Sequence, residues 1–133
     1  GIKDGTIDMI ATDHAPHSIE EKSRGLKDSA MGIVGLETAF AALNTHLVKR
    51  GVITLEHLIR IMSDNPRKVF RIEGGINIGQ RADIVLLDPN KKWTVESSKF
   101  YSMGKITMFD GKDMVGDIAM TIHRGKVVYN NMK

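Results

Sequence analysis

The chain has 133 residues, 41% hydrophobic and 26% charged, with a formal net charge of +3 and no cysteine. These values fit one soluble globular domain with a modest core; they exclude disulfides and thiolate metal sites, so any metal ligands must be His, Asp or Glu. No apolar run is long enough to span a bilayer, no signal peptide is visible, and the basic residues are scattered without interleaved aromatics, which argues against a membrane or nucleic acid as partner and fits a cytoplasmic protein.

In chain order, the first predicted element is a short buried strand over Ile7 to Ile10. It delivers Ala11-Thr12-Asp13-His14-Ala15-Pro16-His17 at its C-terminal end, where parallel α/β proteins carry their ligand sites. A carboxylate there can bind a metal or move a proton, and an imidazole four residues on can reach the same small substrate. Ser18 to Ala30 is polar, with charges of both signs, and reads as a surface loop with room for a helical turn. Leu36, Phe40, Leu43 and Leu47 recur at helical spacing and predict a helix over 36–50, stopped by Gly51. Thr54 is placed to cap a second helix with a buried stripe of Leu55, Leu58, Ile59 and Met62. Asp64 or Asn65 then caps a short third helix, with Pro66 in its first turn.

From Ile72 onward glycines and strand-forming runs take over. Ala82 to Pro89 reads as a strand ended by proline, Trp93 to Val95 as a second strand, and Ile106 to Phe109 as a short third. Ile118–Ile122 and Lys126–Tyr129 flank Arg124-Gly125, a two-residue hairpin turn with glycine where a positive φ is needed. The expected organisation is therefore two parts, 1–71 and 72–133, the second a small β-domain. The eight methionines read as core filler, and His46, His57 and His123 as structural.

Thr12-Asp13-His14-Ala15-Pro16-His17 resembles the signature that follows the eighth barrel strand of dihydroorotases. Gly32-Ile33-Val34-Gly35-Leu36-Glu37-Thr38 resembles the next motif of that family at the usual distance. Gly79-x-x-Ala82-Asp83-Ile84-Val85-Leu86-Leu87-Asp88 and the ending Gly125-Lys126-Val127-Val128-Tyr129 resemble the C-terminal β-domain shared by cyclic amidohydrolases. The resemblance covers essentially all of this chain but only about the last third of a typical member, whose barrel alone runs to about 250 residues.

It implies an α/β chain comprising the C-terminal part of a metal-dependent TIM-barrel hydrolase plus a small β-sandwich domain. It implies reversible closure of carbamoyl aspartate to dihydroorotate in pyrimidine synthesis, with zinc as cofactor. By resemblance, Asp13 ligates the metal and shuttles the proton, and His17 binds the substrate carboxylate. The backbone at Met31 and Gly32 contacts the ring's amide edge, and His14 supports from behind. Met31 stands where the family usually has phenylalanine. The family's His-x-His, bridging lysine and remaining metal and substrate ligands have no counterpart here, so the isolated chain is expected to be inactive. Glu37, in a first helical turn, favours the helix dipole whatever the function. A strand without neighbours exposes apolar surface and open edges, which predicts a homo-oligomer or contacts with a larger protein. Two other readings stay open. One is a hydantoinase or allantoinase, against which His17 argues. The other is an inactive homologue that scaffolds a partner such as aspartate transcarbamoylase.

Overall fold

The computed structural model describes residues 1–132. Ser18 opens α1 (Ile19–Lys22) with a capping box. Its hydroxyl accepts the Glu21 N–H at 3.1 Å, and the Glu21 carboxylate accepts the Ser18 N–H at 2.8 Å, so two otherwise orphaned donors are satisfied reciprocally. A second short helix, α2 (Gly25–Asp28), completes the polar stretch.

The predicted helix over 36–50 forms as one run of changing pitch: a 3₁₀ turn (Leu36–Thr38), α3 (Ala39–Leu43) and a π turn (Asn44–Val48). The change of pitch rotates the buried stripe. Leu36, expected inside, is 61% exposed, and Thr38 takes the buried place instead, because a 3₁₀ turn advances three residues per turn rather than 3.6. Gly51, at φ 68, ends the run in a Schellman motif. Its N–H donates to the Val48 carbonyl at 2.9 Å and the Val52 N–H to the Leu47 carbonyl at 2.8 Å.

Thr54 caps α4 (Leu55–Ile59), accepting the His57 N–H at 3.2 Å as the sequence predicts. The third helix is not separate. The chain continues helically through a π turn (Arg60–Asp64) into α5 (Asn65–Val69), and Asp64 is helical with no side-chain cap bond. The wide turn lies where Pro66 has no N–H for the preceding turn and its ring crowds the carbonyl there, the situation that π turns absorb. Leu58 and Ile61, both at most 1% exposed, anchor this helix.

Three antiparallel strands follow in the order β1 (Ile84–Thr94), β2 (Asp113–His123) and β3 (Lys126–Asn130). Pro89 does not end β1, and Trp93 does not start a new strand. The register shifts between Asp88 and Lys92, so the proline sits in a bulge where its missing N–H costs no ladder bond. Arg124 and Gly125 turn the β2–β3 hairpin with φ of 50 and 76, both positive as a type I′ turn requires. Residues 106–109 are not a strand. The expected β-sandwich is accordingly absent. Two of its strand-forming runs merge into β1 and a third is irregular, which leaves one sheet among the described residues.

The sheet lies on α3. Gly116 in β2 allows a close approach: a Cβ there would stand 2.9 Å from the Phe40 ring and 2.8 Å from the Asn44 amide. Asn44 donates to the Val115 and Pro89 carbonyls, and the Thr45 hydroxyl accepts the Val115 N–H at 2.8 Å, so the π turn satisfies the backbone of the irregular part of the sheet. One buried cluster joins Val34, Ala41 and Ala42 to Val95, Phe100 and Met114; another centres on Phe40, Ile53, Leu58 and Ile61. Of the methionines only Met114 is fully buried; Met31, Met103, Met108 and Met132 are exposed, so they are not core filler. No helix among the described residues is long and apolar enough to cross a membrane.

Candidate functional site

Residues 7–13 carry no regular secondary structure and no ladder partner, and the predicted strand is not realised as one. A strand is defined by its neighbours, and here the Ile10 N–H donates to the Ile61 carbonyl of the helical layer at 3.2 Å instead. No closed barrel is formed among the described residues. What remains of parallel pairing is one bridge, His14 to Ile33, with the Ala15 N–H donating to the Ile33 carbonyl at 3.0 Å. That bridge brings the 11–17 loop alongside 31–35.

Asp13 has a left-handed backbone, φ 46, which few residues other than glycine adopt and aspartate tolerates better than most. Its side chain is exposed, and its carboxylate makes no hydrogen bond among the described residues. Strained backbone of this kind gathers at functional sites. His14 turns the other way. Its Nδ1 accepts the Gly35 and Leu36 N–H groups at 3.3 and 3.2 Å, which ties the loop to the start of the helical run and leaves the ring proton on Nε2.

His17 lies beside the α1 cap, with Nδ1 3.7 Å from a Glu21 carboxylate oxygen. The Ser18 backbone N–H, then its hydroxyl, then the neighbouring charges hold the Glu21 carboxyl below the usual carboxylate range. Gly32, at φ 113, crosses Ala15 so closely that a Cβ would fall 2.9 Å from the Ala15 carbonyl oxygen and onto its methyl group; no other residue fits. Met31 is 80% exposed.

Two positioning residues were not anticipated from the sequence. The Lys22 ammonium donates to the Ala30 and Gly32 carbonyls at 2.9 and 2.8 Å and so fixes the backbone on both sides of Met31. Glu37, read as a helix-dipole carboxylate, accepts the Tyr101 and Ser102 N–H groups at 2.8 and 3.0 Å from a segment 64 residues away. Neither has a sequence signal: a lone lysine in a polar loop and a glutamate in a first turn are commonplace.

The donor set does not make a metal centre by itself. Among the described residues no group of three or more His, Asp or Glu side chains could hold an ion, whereas a catalytic zinc needs three or more protein ligands. A cleft of about 700 Å³ does open on the sheet, but its walls include Trp93, Tyr101 and Tyr129 and neither Asp13 nor His17.

The sequence profile of the amidohydrolase family matches residues 1–128. The chain is 48% identical over 129 residues to a dihydroorotase of Thermoanaerobacter sp. (strain X514), covering 97% of this chain and 30% of that protein. It is 44% identical over 133 residues to a dihydroorotase of Caldanaerobacter subterraneus subsp. tengcongensis, covering 100% of this chain and 31% of that one. Among solved structures, the L-hydantoinase (dihydropyrimidinase) from Arthrobacter aurescens matches with a TM-score of 0.89 at 34% identity, covering 99% of this chain and 31% of that one. This chain thus spans less than a third of the length of the proteins it matches. Nearly its whole length matches in sequence, and the same length matches in fold: the chain belongs to the amidohydrolase family.

Proposed function

We propose that this chain is the C-terminal part of a zinc-dependent dihydroorotase, which interconverts L-dihydroorotate and N-carbamoyl-L-aspartate, and that it is inactive alone. The observation that carries the reading is the 11–17 loop itself. It presents an unpartnered carboxylate at Asp13 and an imidazole at His17, next to a backbone segment with free polar groups. The Gly32 carbonyl is occupied by Lys22, but the Met31 N–H, the Met31 carbonyl and the Gly32 N–H make no hydrogen bond among the described residues. A donor and acceptor side by side suit the N–H and C=O of a cyclic amide. The 48% identity to a protein named dihydroorotase, against 34% for the hydantoinase structure, supports the same choice.

In this reading Asp13 takes a proton from the attacking water and returns it to the ring nitrogen as the amide bond breaks. Its carboxylate is unencumbered on both oxygens, which suits a group that must face two partners in turn. His17 holds the substrate's ring carboxylate, and the Met31–Gly32 backbone orients the ring. This chain offers zinc only one ligand, so the other ligands would come from outside it. Carbamoyl aspartate and dihydroorotate are then the substrates, and the cytoplasm is the expected location. A hydantoinase is the second reading, favoured by the 0.89 TM-score; it predicts indifference to a ring carboxylate.

The test is steady-state kinetics on the complete polypeptide, in both directions, with zinc content measured. Asp13→Ala is expected to abolish turnover, because it removes a metal ligand and the proton shuttle together. Retention of most of the rate would refute the assignment. The isolated 133-residue chain supplied with zinc is expected to show none.

A further inference from the structure

Residues 101–106 belong to the second half of the chain, yet they close on the candidate site at three points. Both oxygens of Glu37 accept backbone N–H groups of Tyr101 and Ser102. The Val34 N–H donates to the Ile106 carbonyl at 2.9 Å. Between these anchors, buried Gly104 presses on the loop itself: a Cβ there would stand 2.8 Å from the Pro16 Cβ, 3.1 Å from the Pro16 Cα and 3.1 Å from the His17 nitrogen. Those are backbone and ring atoms, which cannot swing aside as the tip of a long side chain can.

This segment is not placed to bury apolar surface. Tyr101 and Met103 are 85% and 98% exposed. Its backbone is what the fold uses, held at both ends and laid against Pro16-His17 in the middle. The proline transmits that contact stiffly, since its ring locks φ, and the His17 imidazole hangs from the next residue.

We propose that residues 101–106 are a positioning element for His17, with Gly104 as its point of contact, and that they set how well the site accepts a ring carboxylate. The role assigned to His17 in this inference rests on the reading given above. The positioning itself rests on the contacts.

The experiment uses the complete polypeptide labelled with ¹³C-histidine. The His17 ring signal is assigned by its loss in His17→Ala. Gly104→Ala is expected to move that signal while those of His46 and His57 stay in place. It is also expected to raise KM for dihydroorotate, lowering kcat/KM by about tenfold to a hundredfold, the scale of a sub-ångström to ångström misplacement. The inhibition constant of hydantoin, which lacks the carboxylate, should not change. Glu37→Gln adds no bulk and removes one of two acceptors, so it provides a second variant if Gly104→Ala fails to fold; it should move the His17 signal in a smaller degree. If the His17 signal keeps its wild-type position in the variants that fold, the proposal is overturned. It is equally overturned if the other histidine signals move as far and both ligands weaken alike, since that is general structural damage. If His17→Ala leaves dihydroorotate kinetics unchanged while Gly104→Ala still moves the His17 signal, the carboxylate role falls and the positioning stands.

Discussion

The stretch before Val34 and the helix–sheet body after it are built differently. No residue before Val34 is buried, whereas the body holds Leu58, Ile61 and Met114 at 1% exposure or less. The body is held by packing, as its two apolar clusters show. In the front only Ile2 and Ile10, both half-buried, pack against the second of these clusters; the rest is held by hydrogen bonds and close backbone approaches: Lys22 on two carbonyls, His14 on two amides, Gly32 against Ala15. The candidate chemistry lies wholly in the second kind of region. Specific polar contacts can aim a carboxylate or an imidazole without enclosing it, and that leaves the groups open to a substrate and to whatever surrounds them in a larger protein.

The sharpest way to break this contrast is to remove apolar volume from each region. Leu58→Ala should cost about 2–5 kcal/mol, because it opens a cavity where no solvent reaches. Ile7→Ala, at a position 42% exposed, should cost under about 1 kcal/mol in this chain. Urea titration of both variants reads the difference. Equal losses would mean that the front is packed as tightly as the body.

Asn44→Ala should come next, at about 1–3 kcal/mol, because the part-buried Pro89 and Val115 carbonyls lose the donor that a fully buried side chain gives them. The unpartnered Asn44 Oδ1 disappears with the substitution and offsets part of the loss. An effect near zero would show that the helix and sheet do not depend on this link.

A smaller effect is expected at the hairpin. Asp83 accepts the Arg124 N–H at 2.8 Å and the Arg81 guanidinium at 2.6 Å, and these, the backbone bond first, hold its carboxyl below the usual carboxylate range. A depressed carboxyl contributes stability above its unfolded value, and that contribution is lost as pH falls through the lower folded value. Asp83→Asn should therefore narrow the stability difference between neutral and strongly acidic pH, measured by thermal melts across that range. An unchanged acid limb would remove Asp83 from the account.

Much of the body was legible in the sequence because its signals are local. Thr54 as a cap, Gly51 as a stop and Arg124-Gly125 as a turn each depend on a few adjacent residues. The structure departs from local pattern where tertiary context overrides it. Pro89 reads as a strand end but is absorbed by a bulge, and Leu36 fits a helical stripe but falls on a 3₁₀ turn that faces it outward. The Ile7 to Ile10 run has strand chemistry, yet its backbone finds no partner strand. At the site, the motif residues could be named from sequence because the resemblance carries them. Lys22, the true partners of Glu37 and the contact of Gly104 could not, since each acts across a distance that no spacing encodes.

The most direct test of the central claim, that the loop at 11–17 recognises a ring bearing a carboxylate, is His17→Ala in the complete polypeptide. Loss of one hydrogen bond to a charged group is worth about 1.5–3 kcal/mol, so kcat/KM for dihydroorotate should fall roughly tenfold to a hundredfold, mainly through KM. Zinc content and the inhibition constant of hydantoin should hold. Unchanged dihydroorotate kinetics, or an equal loss for hydantoin, would contradict the claim.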